Sequence, residues 1–419
     1  MAIVYAVNVA RKPDLCGRWR RVFATPSAGA AAVVIAFYLC IAITDSIRIE
    51  QHGARVTVLD VILAPLRLQV ERTYSAPFAS HGFVKESRTT MHGKIAREYP
   101  RLEHGGRHLS NPDLRLSDIL WRAGFGIIGG AMAWSVLIYA LARLFRTRYG
   151  RGPMIASGSL CVALGFVISV APSYHMFGTD KVGVDVLYQG LKSIRTGLVL
   201  GTLTTLISLP LAVVLGLLAG YCRGWVDDLV QYLYTTLASV PGVLLIAAAA
   251  LTLDLYLNQH LGDHVGVAER ADLRLFGICI ILGVTGWTSL CRLLRAEVLK
   301  LRALEFVLAA RSLGVGTAGI VWRHLVPNTL HIVIITSVID LSGLVLAEAV
   351  LTYIDIGVDP SMESWGNMIN SSRMELARDP IVWWSLGAAF IFMFTLVLAA
   401  NVLADAVRDA FDPHLRRSR

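Results

Sequence analysis

The sequence predicts an all-α, polytopic membrane protein. Hydrophobic residues make up 55% of its 419 positions, and the mean hydropathy is +0.58. Charged residues are only 16%, against roughly 25% in soluble domains. Apolar runs close to the ~20 residues of a transmembrane helix recur along the chain. The formal net charge is +9. In a soluble protein that excess would suggest nucleic acid. Here the basic residues cluster in short loops beside apolar runs, so they orient the chain in a bilayer instead.

Residues 1–28 are polar and basic, with Arg11, Lys12, Arg18, Arg20 and Arg21 ahead of the first apolar run. That run, 29–44, exceeds most signal-peptide cores, and no small-residue cleavage site follows it. An uncleaved span with a cytoplasmic N-terminus is expected, although its length is marginal. Residues 45–118 are of mixed polarity and, by alternation, form an exported insert. Within it, Arg55–Leu63 suggests one or two strands, and Met91–His108 suggests helix or loop. His81, His92, His104 and His108 have irregular spacing and no carboxylate or cysteine cluster, so no metal site is indicated.

The second span is expected at 123–142 and the third at 153–172. The first of these carries Gly126…Gly130, a spacing that permits close helix packing. Arg143, Arg146, Arg148 and Arg151 place the loop between them inside. Further spans are expected at about 196–220, 229–253, 273–290, 329–351 and 381–404. Pro241 falls in the middle of 229–253, where a bundle can tolerate it. The 329–351 run carries Asp340, a carboxylate near the bilayer centre and a candidate intramembrane polar site. The six cysteines lie in segments placed inside or within the membrane and have no disulfide or zinc spacing.

Between the sixth and seventh of these spans lies a basic loop, 292–328. Its positive charges are Arg292, Arg295, Lys300, Arg302, Arg311 and Arg323, opposed by Glu297 and Glu305. Two amphipathic helices are expected. The first runs to about Leu313, and Gly314 takes the left-handed position past its end. Thr317 is a candidate N-cap for the second helix, and Pro327 is expected to stop it. On the first helix, Glu305, Ala309 and Ser312 share a small face. Phe306, Ala310 and Leu313 share a neighbouring apolar one. Such a pair suits docking on the cytoplasmic side.

Glu305-Phe-Val-Leu-Ala309-Ala310-Arg311-Ser-Leu-Gly314, followed by Arg323-His324-Leu-Val-Pro327-Asn328, resembles the EAA loop of ABC importer permeases. The variant is similar to that of the dipeptide/oligopeptide/nickel branch. Four more segments fit the same branch. Phe177-Gly178-Thr179-Asp180-Lys-Val-Gly183-Val184-Asp185-Val186 resembles its FGTDxxGRDV segment, with Val184 where arginine is usual. Ala219-Gly220-Tyr221-Cys-Arg223-Gly224-Trp225-Val-Asp227 resembles its AGYxGGxxD turn. Ser364-Trp365-Gly366-Asn367-Met368 and Asp409-Ala-Phe-Asp412-Pro413 complete the set. The resemblance covers 153–419 in continuous order. It implies a type I permease core of six helices, to which 1–152 adds an extension with two more.

The resemblance further implies a permease subunit of an ATP-driven importer for peptides or related small solutes. It implies a second permease, two ATPase subunits that hold ATP and Mg, and an extracytoplasmic solute-binding protein. Coupling to the ATPase would pass through Glu305, Phe306, Ala309, Ala310, Arg311, Gly314 and Pro327. The chain itself carries no phosphate-binding GxxxxGK[ST] motif and no catalytic constellation. It is therefore expected to be no enzyme and to hold no cofactor or metal. It is expected in the inner membrane with both termini cytoplasmic. The alternative, an ion-coupled secondary transporter using Asp340, is disfavoured by the lack of a long internal repeat.

Overall fold

The computed structural model describes residues 13–51, 54–89, 95–109, 111–145, 150–261 and 266–411. Helices α1 (Pro13–Ala24) and α2 (Pro26–Ser46) come first. A hairpin comes next, of β1 (Arg48–Gln51) and β2 (Ala54–Thr57), then short helices α3 (Val58–Ile62) and α4 (Ala64–Arg67). A second hairpin pairs β3 (Glu86–Thr89) with β4 (Ile95–Glu98). Long helices then dominate: α5 (Arg115–Phe145), α6 (Arg151–Val170), α7 (Val186–Cys222), α8 (Trp225–Ser239) and α9 (Gly242–Leu261). They continue as α10 (Val267–Gly286), α11 (Thr288–Leu301), α12 (Glu305–Ser312), α13 (Thr317–Ile320), α14 (Val326–Tyr353), α15 (Trp365–Glu375) and α16 (Trp384–Phe411). Among the described residues, eight helical runs are long and apolar enough to cross a membrane.

Several boundaries differ from expectation, each for a local reason. The first span reaches 21 residues because Pro26 can begin a helix and the hydroxyls of Thr44 and Ser46 bond back to their own helix. The strand expected from Arg55 ends at Thr57. There Thr57 and Asp60 form a reciprocal capping box that turns the chain into α3. Within Met91–His108, residues 91–94 lie outside the described set, and Ile95–Glu98 is a strand. His92 and the Asp412–Pro413 ending also lie outside it. The single span expected at 229–253 is two helices, α8 and α9, broken at Val240 and Pro241. Val240 is extended, with φ −91° and ψ 133°, and Pro241 has no N–H to continue the ladder.

The chain forms two compact units. One comprises Phe23–Gly197 and Glu363–Ala399. Its α5 and α6 cross where Gly126 and Gly130 meet the backbones of Gly165 and Cys161, so the close-packing spacing is used as such. The loops of the insert are tied to the segment before α7 by backbone hydrogen bonds from Glu71 to Gly183, Phe78 to His175 and Gly106 to Ser173. Val170, Tyr174, Leu187 and Tyr188 share a core with Leu66. Val184 packs at its edge, so an apolar residue at the usual arginine position has an apolar role. Trp365 is fully buried and donates to the Gly190 carbonyl, while Ser364 caps α15.

The other unit comprises 1–22, Leu198–Met362 and Ala400–Arg419. Three apolar layers stack along it. The base holds Leu217, Val298, Val307, Ala310, Ile320 and Leu325. Above it lie Ala212, Val230, Tyr234, Leu290, Leu294 and Val333. The top layer holds Leu200, Leu275, Ile278, Leu282, Leu351 and Val358.

Candidate functional site

The basic loop folds as a rigid pair at the base layer. The expected long first helix is broken: α11 ends at Leu301 and α12 starts at Glu305. Ala303 and Leu304 turn between them, donating to the carbonyls of Lys300 and Leu301. Gly314 has φ +78°. The Val315 N–H donates to the Ala310 carbonyl and the Gly314 N–H to that of Arg311. This is the full glycine-terminated helix ending that the sequence suggests.

The second helix departs from expectation twice. Gly316, not Thr317, takes the N-cap position, with no side-chain cap. Pro327 does not stop the helix; Thr317 to Tyr353 is one continuous run of 37 residues. The reason is a single π turn, Val321–Leu325, closed by Val326 N–H donating to the Val321 carbonyl. The wider turn absorbs the missing donor of Pro327.

The predicted site residues separate into an inside and an outside. Ala310 is buried with Val307 and Ile320, so its small size serves the pair's own core. Ala309 is exposed. The expected apolar face of Phe306, Ala310 and Leu313 is therefore split. Phe306 is 41% exposed and Leu313 84%, while Ala310 points inward. Trp322, 64% exposed, adds to the outer surface. The Phe306 ring lies 6.2 Å from that of His324, linking the two halves. Glu305 is the first residue of α12, where the helix dipole favours a negative charge. Arg292, Arg311 and Arg323 are exposed around the pair.

Other charges fasten the pair to the membrane helices. Asp227 at the start of α8 accepts two hydrogen bonds from Arg295 of α11, at 2.5 and 2.8 Å. These bonds, outweighing partial burial, hold the Asp227 carboxyl below its ordinary range. Arg302 donates to the Tyr221 carbonyl at 3.0 Å. The turn that aims Asp227 needs left-handed backbone at Arg223 (φ +58°) and Gly224 (φ +64°).

Asp340 lies half-buried on α14, and among the described residues no hydrogen bond or ion pair reaches it. A second polar group, missed from the sequence, lies in the unit of Phe23–Gly197. His175 is 1% exposed and lies 2.7 Å from Asp185 and 3.4 Å from Glu71. Glu71 also accepts from the backbone N–H groups of Glu103, His104 and Gly105. Burial works against charge on both partners, yet the hydrogen bonds prevail. His175 is raised to about 9 and Glu71 lowered to about 2. The available signal was Asp185 itself, inside the FGTDxxGxDV-like segment.

Eight apolar helical runs define a multi-pass membrane protein, and in the unit of Leu198–Met362 a helix pair closes the base layer. The chain belongs to the family described as binding-protein-dependent transport system inner membrane component, which matches residues 212–417. It is 30% identical over 243 residues to the dipeptide transport system permease protein DppC of Bacillus subtilis, covering 58% of this chain and 70% of that one. It is 28% identical to the oligopeptide transport system permease protein OppC of the same organism, covering 58% and 73%. It is also 28% identical over 280 residues to OppC of Mycobacterium bovis, covering 67% and 90%.

Proposed function

We propose that this chain is one of two permeases in an ATP-driven importer for peptides or related small solutes. The observation that carries the reading is the exposed apolar surface of Phe306, Leu313 and Trp322 on a pair with a buried core of its own. Large apolar side chains left in the open on a pair with its own buried core suit a protein contact. The partner is an ATPase subunit, and two such subunits hold ATP and Mg. Solute arrives from an extracytoplasmic binding protein and crosses between this chain and the second permease. The peptide class follows the names of the relatives. Residues 153–419 carry the permease core, and 1–152 extend it.

The mechanics rest on continuity. The helix that starts at Thr317 inside the pair runs unbroken to Tyr353. A displacement of the pair by the ATPase therefore moves a membrane helix directly, with no loop to absorb it. Phe306, Arg311 and the outer face of Ala309 form the contact. Gly314, Ala310 and Pro327 keep the pair in shape.

The test is substitution on the exposed face, where the permease's own core is untouched. Phe306→Asp and Leu313→Asp are expected to leave the two permeases paired in the membrane. They are expected to lose co-purifying ATPase and ATP-driven uptake. Retention of both by both variants would overturn the assignment of the pair as the coupling element.

A further inference from the structure

The break between α8 and α9 and the carboxylate of Asp340 lie at the same height in the unit of Leu198–Met362. Two apolar layers bracket them. Val230 and Tyr234 of α8 share the middle layer with Val333 of α14. Ile246 of α9 and Leu344 of α14 pack against the top layer. The chain from Tyr234 to Ile246 and the chain from Val333 to Leu344 thus climb the same interval. Pro241 stands seven residues past Tyr234, and Asp340 seven past Val333. Each is about 10 Å above the middle layer by helical rise. Two turns also return Asp340 to within about 20° of the face that Val333 presents.

Beside the apolar contacts of Leu341 with Gly201 and Ile207 with Gly283, this interval carries polar and exposed positions. Thr205, Thr285 and Ser337 are half-buried there, each bonded back to a carbonyl one turn earlier. Ser239, Val240 and Pro241 are exposed. Where a Cβ would stand on Gly242 or Gly343, nothing lies within 4 Å. In hydrocarbon, neither the broken backbone nor the lone carboxylate is tolerable. Irregular backbone at membrane depth must line water or be buried in protein, and so must a carboxylate. The C-terminal carbonyls of α8 carry the negative end of its dipole. Pro241, without an N–H, cannot satisfy the Leu237 carbonyl. Acceptors and a negative charge therefore stand at one height of this unit, and among the described residues no ion pair reaches Asp340.

We propose that Asp340 and the α8 end at Ser239–Pro241 form a mid-membrane subsite for a protonated amine of the translocated solute. The carboxylate pairs with the ammonium, and the free carbonyls accept its remaining hydrogens. The subsite rests on the reading that this unit lines a solute path, and it adds to that reading the charge of the group that passes.

The experiment uses the assembled importer in membrane vesicles, with this chain's six native cysteines replaced and a thiol introduced by Ser239→Cys. Two reagents are compared, the cationic 2-(trimethylammonium)ethyl and the anionic 2-sulfonatoethyl methanethiosulfonate. Relative to their rates on a free thiol, the cationic reagent is expected to label about tenfold faster. Asp340→Asn is expected to remove that preference, and Asp340→Glu to keep it. Absence of labelling by either reagent would overturn the subsite, as would a charge preference unchanged in Asp340→Asn. ATP-driven uptake by the same vesicles reports separately on the importer reading. Uptake with no Asp340-dependent preference sinks the subsite alone; uptake indifferent to ATP sinks the importer.

Discussion

At the scale of single residues, backbone and charge set distinct demands. Gly314 has φ +78° and open space where a Cβ would stand, so only backbone strain opposes a side chain there. Asparagine visits that region readily, whereas a β-branched residue is strained there by about 1–3 kcal/mol. Gly314→Val should therefore lose solute-stimulated ATP hydrolysis in the assembled importer, and Gly314→Asn should retain most of it. Equal activity of the two would show that the turn does not govern coupling. Ala310 is different, because it is buried against Ile320 and Val307. Ala310→Trp is expected to lower the melting temperature of the permease itself, by overpacking worth about 1–3 kcal/mol. His175 gives a pH signature. Its folded value of about 9 lies above the ordinary 6.5, so its contribution is complete below about 6.5 and is lost as pH rises through about 9. Glu71, held at about 2 rather than 4.5, contributes fully above about 4.5 and loses this as pH falls through about 2. Removing the cation from between two buried carboxylates costs about 3–5 kcal/mol. His175→Gln should therefore melt several degrees lower at pH 6 than the parent, and the gap should narrow towards pH 9. A gap constant with pH would mean that His175 is neutral in the fold.

At the scale of elements, the sequence shows most helices and misplaces where they bend. Apolar length is enough to find the spans, because a bilayer imposes that length on any helix that crosses it. Gly314 and the Asp227 turn are legible because each is fixed by local backbone geometry. Pro241 and Pro327 mislead in opposite senses. The first breaks a helix that apolar length alone makes continuous, and the second sits inside one that proline alone would end. A proline removes one donor in either case. Whether the helix then breaks or continues depends on whether a neighbouring turn can widen, as Val321–Leu325 does, and that is a tertiary matter. The His175 group is legible only in part: Asp185 lies ten residues from His175, but Glu71 is 104 residues away, with no local pattern to connect them. The Asp227–Arg295 pair is likewise long-range, joining α8 to α11 across 68 residues. Hydrogen bonds to charged groups of this kind contribute about 1.5–3 kcal/mol. Asp227→Asn should lower the melting temperature of the purified permease pair and reduce uptake. Exchanging the two charges, with Asp227→Arg and Arg295→Asp together, should recover part of the loss. No recovery, with single variants as stable as the parent, would remove the pair from the account of how the base is held.

At the scale of the whole molecule, orientation is set by where the positive charge sits. The short loops at 143–152 and 292–328 carry arginine and lysine in excess, and short loops of that kind stay in the cytoplasm. The insert at 45–118 is too long for the rule to reach, so its side is fixed only by alternation from its neighbours. One labelling experiment tests the side of the basic loops and of the insert together. Cys222 is exposed at the end of α7, after four crossings and before the turn at Arg223. Ser87 is exposed on β3 in the insert. With the other native cysteines replaced, a membrane-impermeant maleimide added to intact cells should leave Cys222 unlabelled and should label a thiol introduced by Ser87→Cys. Opening the cells should expose Cys222. Eight crossings require this result if both termini are cytoplasmic, because the insert comes after one crossing and Cys222 after four. Labelling of Cys222 in intact cells would invert the molecule and move the Phe306 surface away from any ATPase. Protection of the Ser87→Cys thiol would instead mean that α2 does not cross, leaving the insert and the N-terminus on the same side.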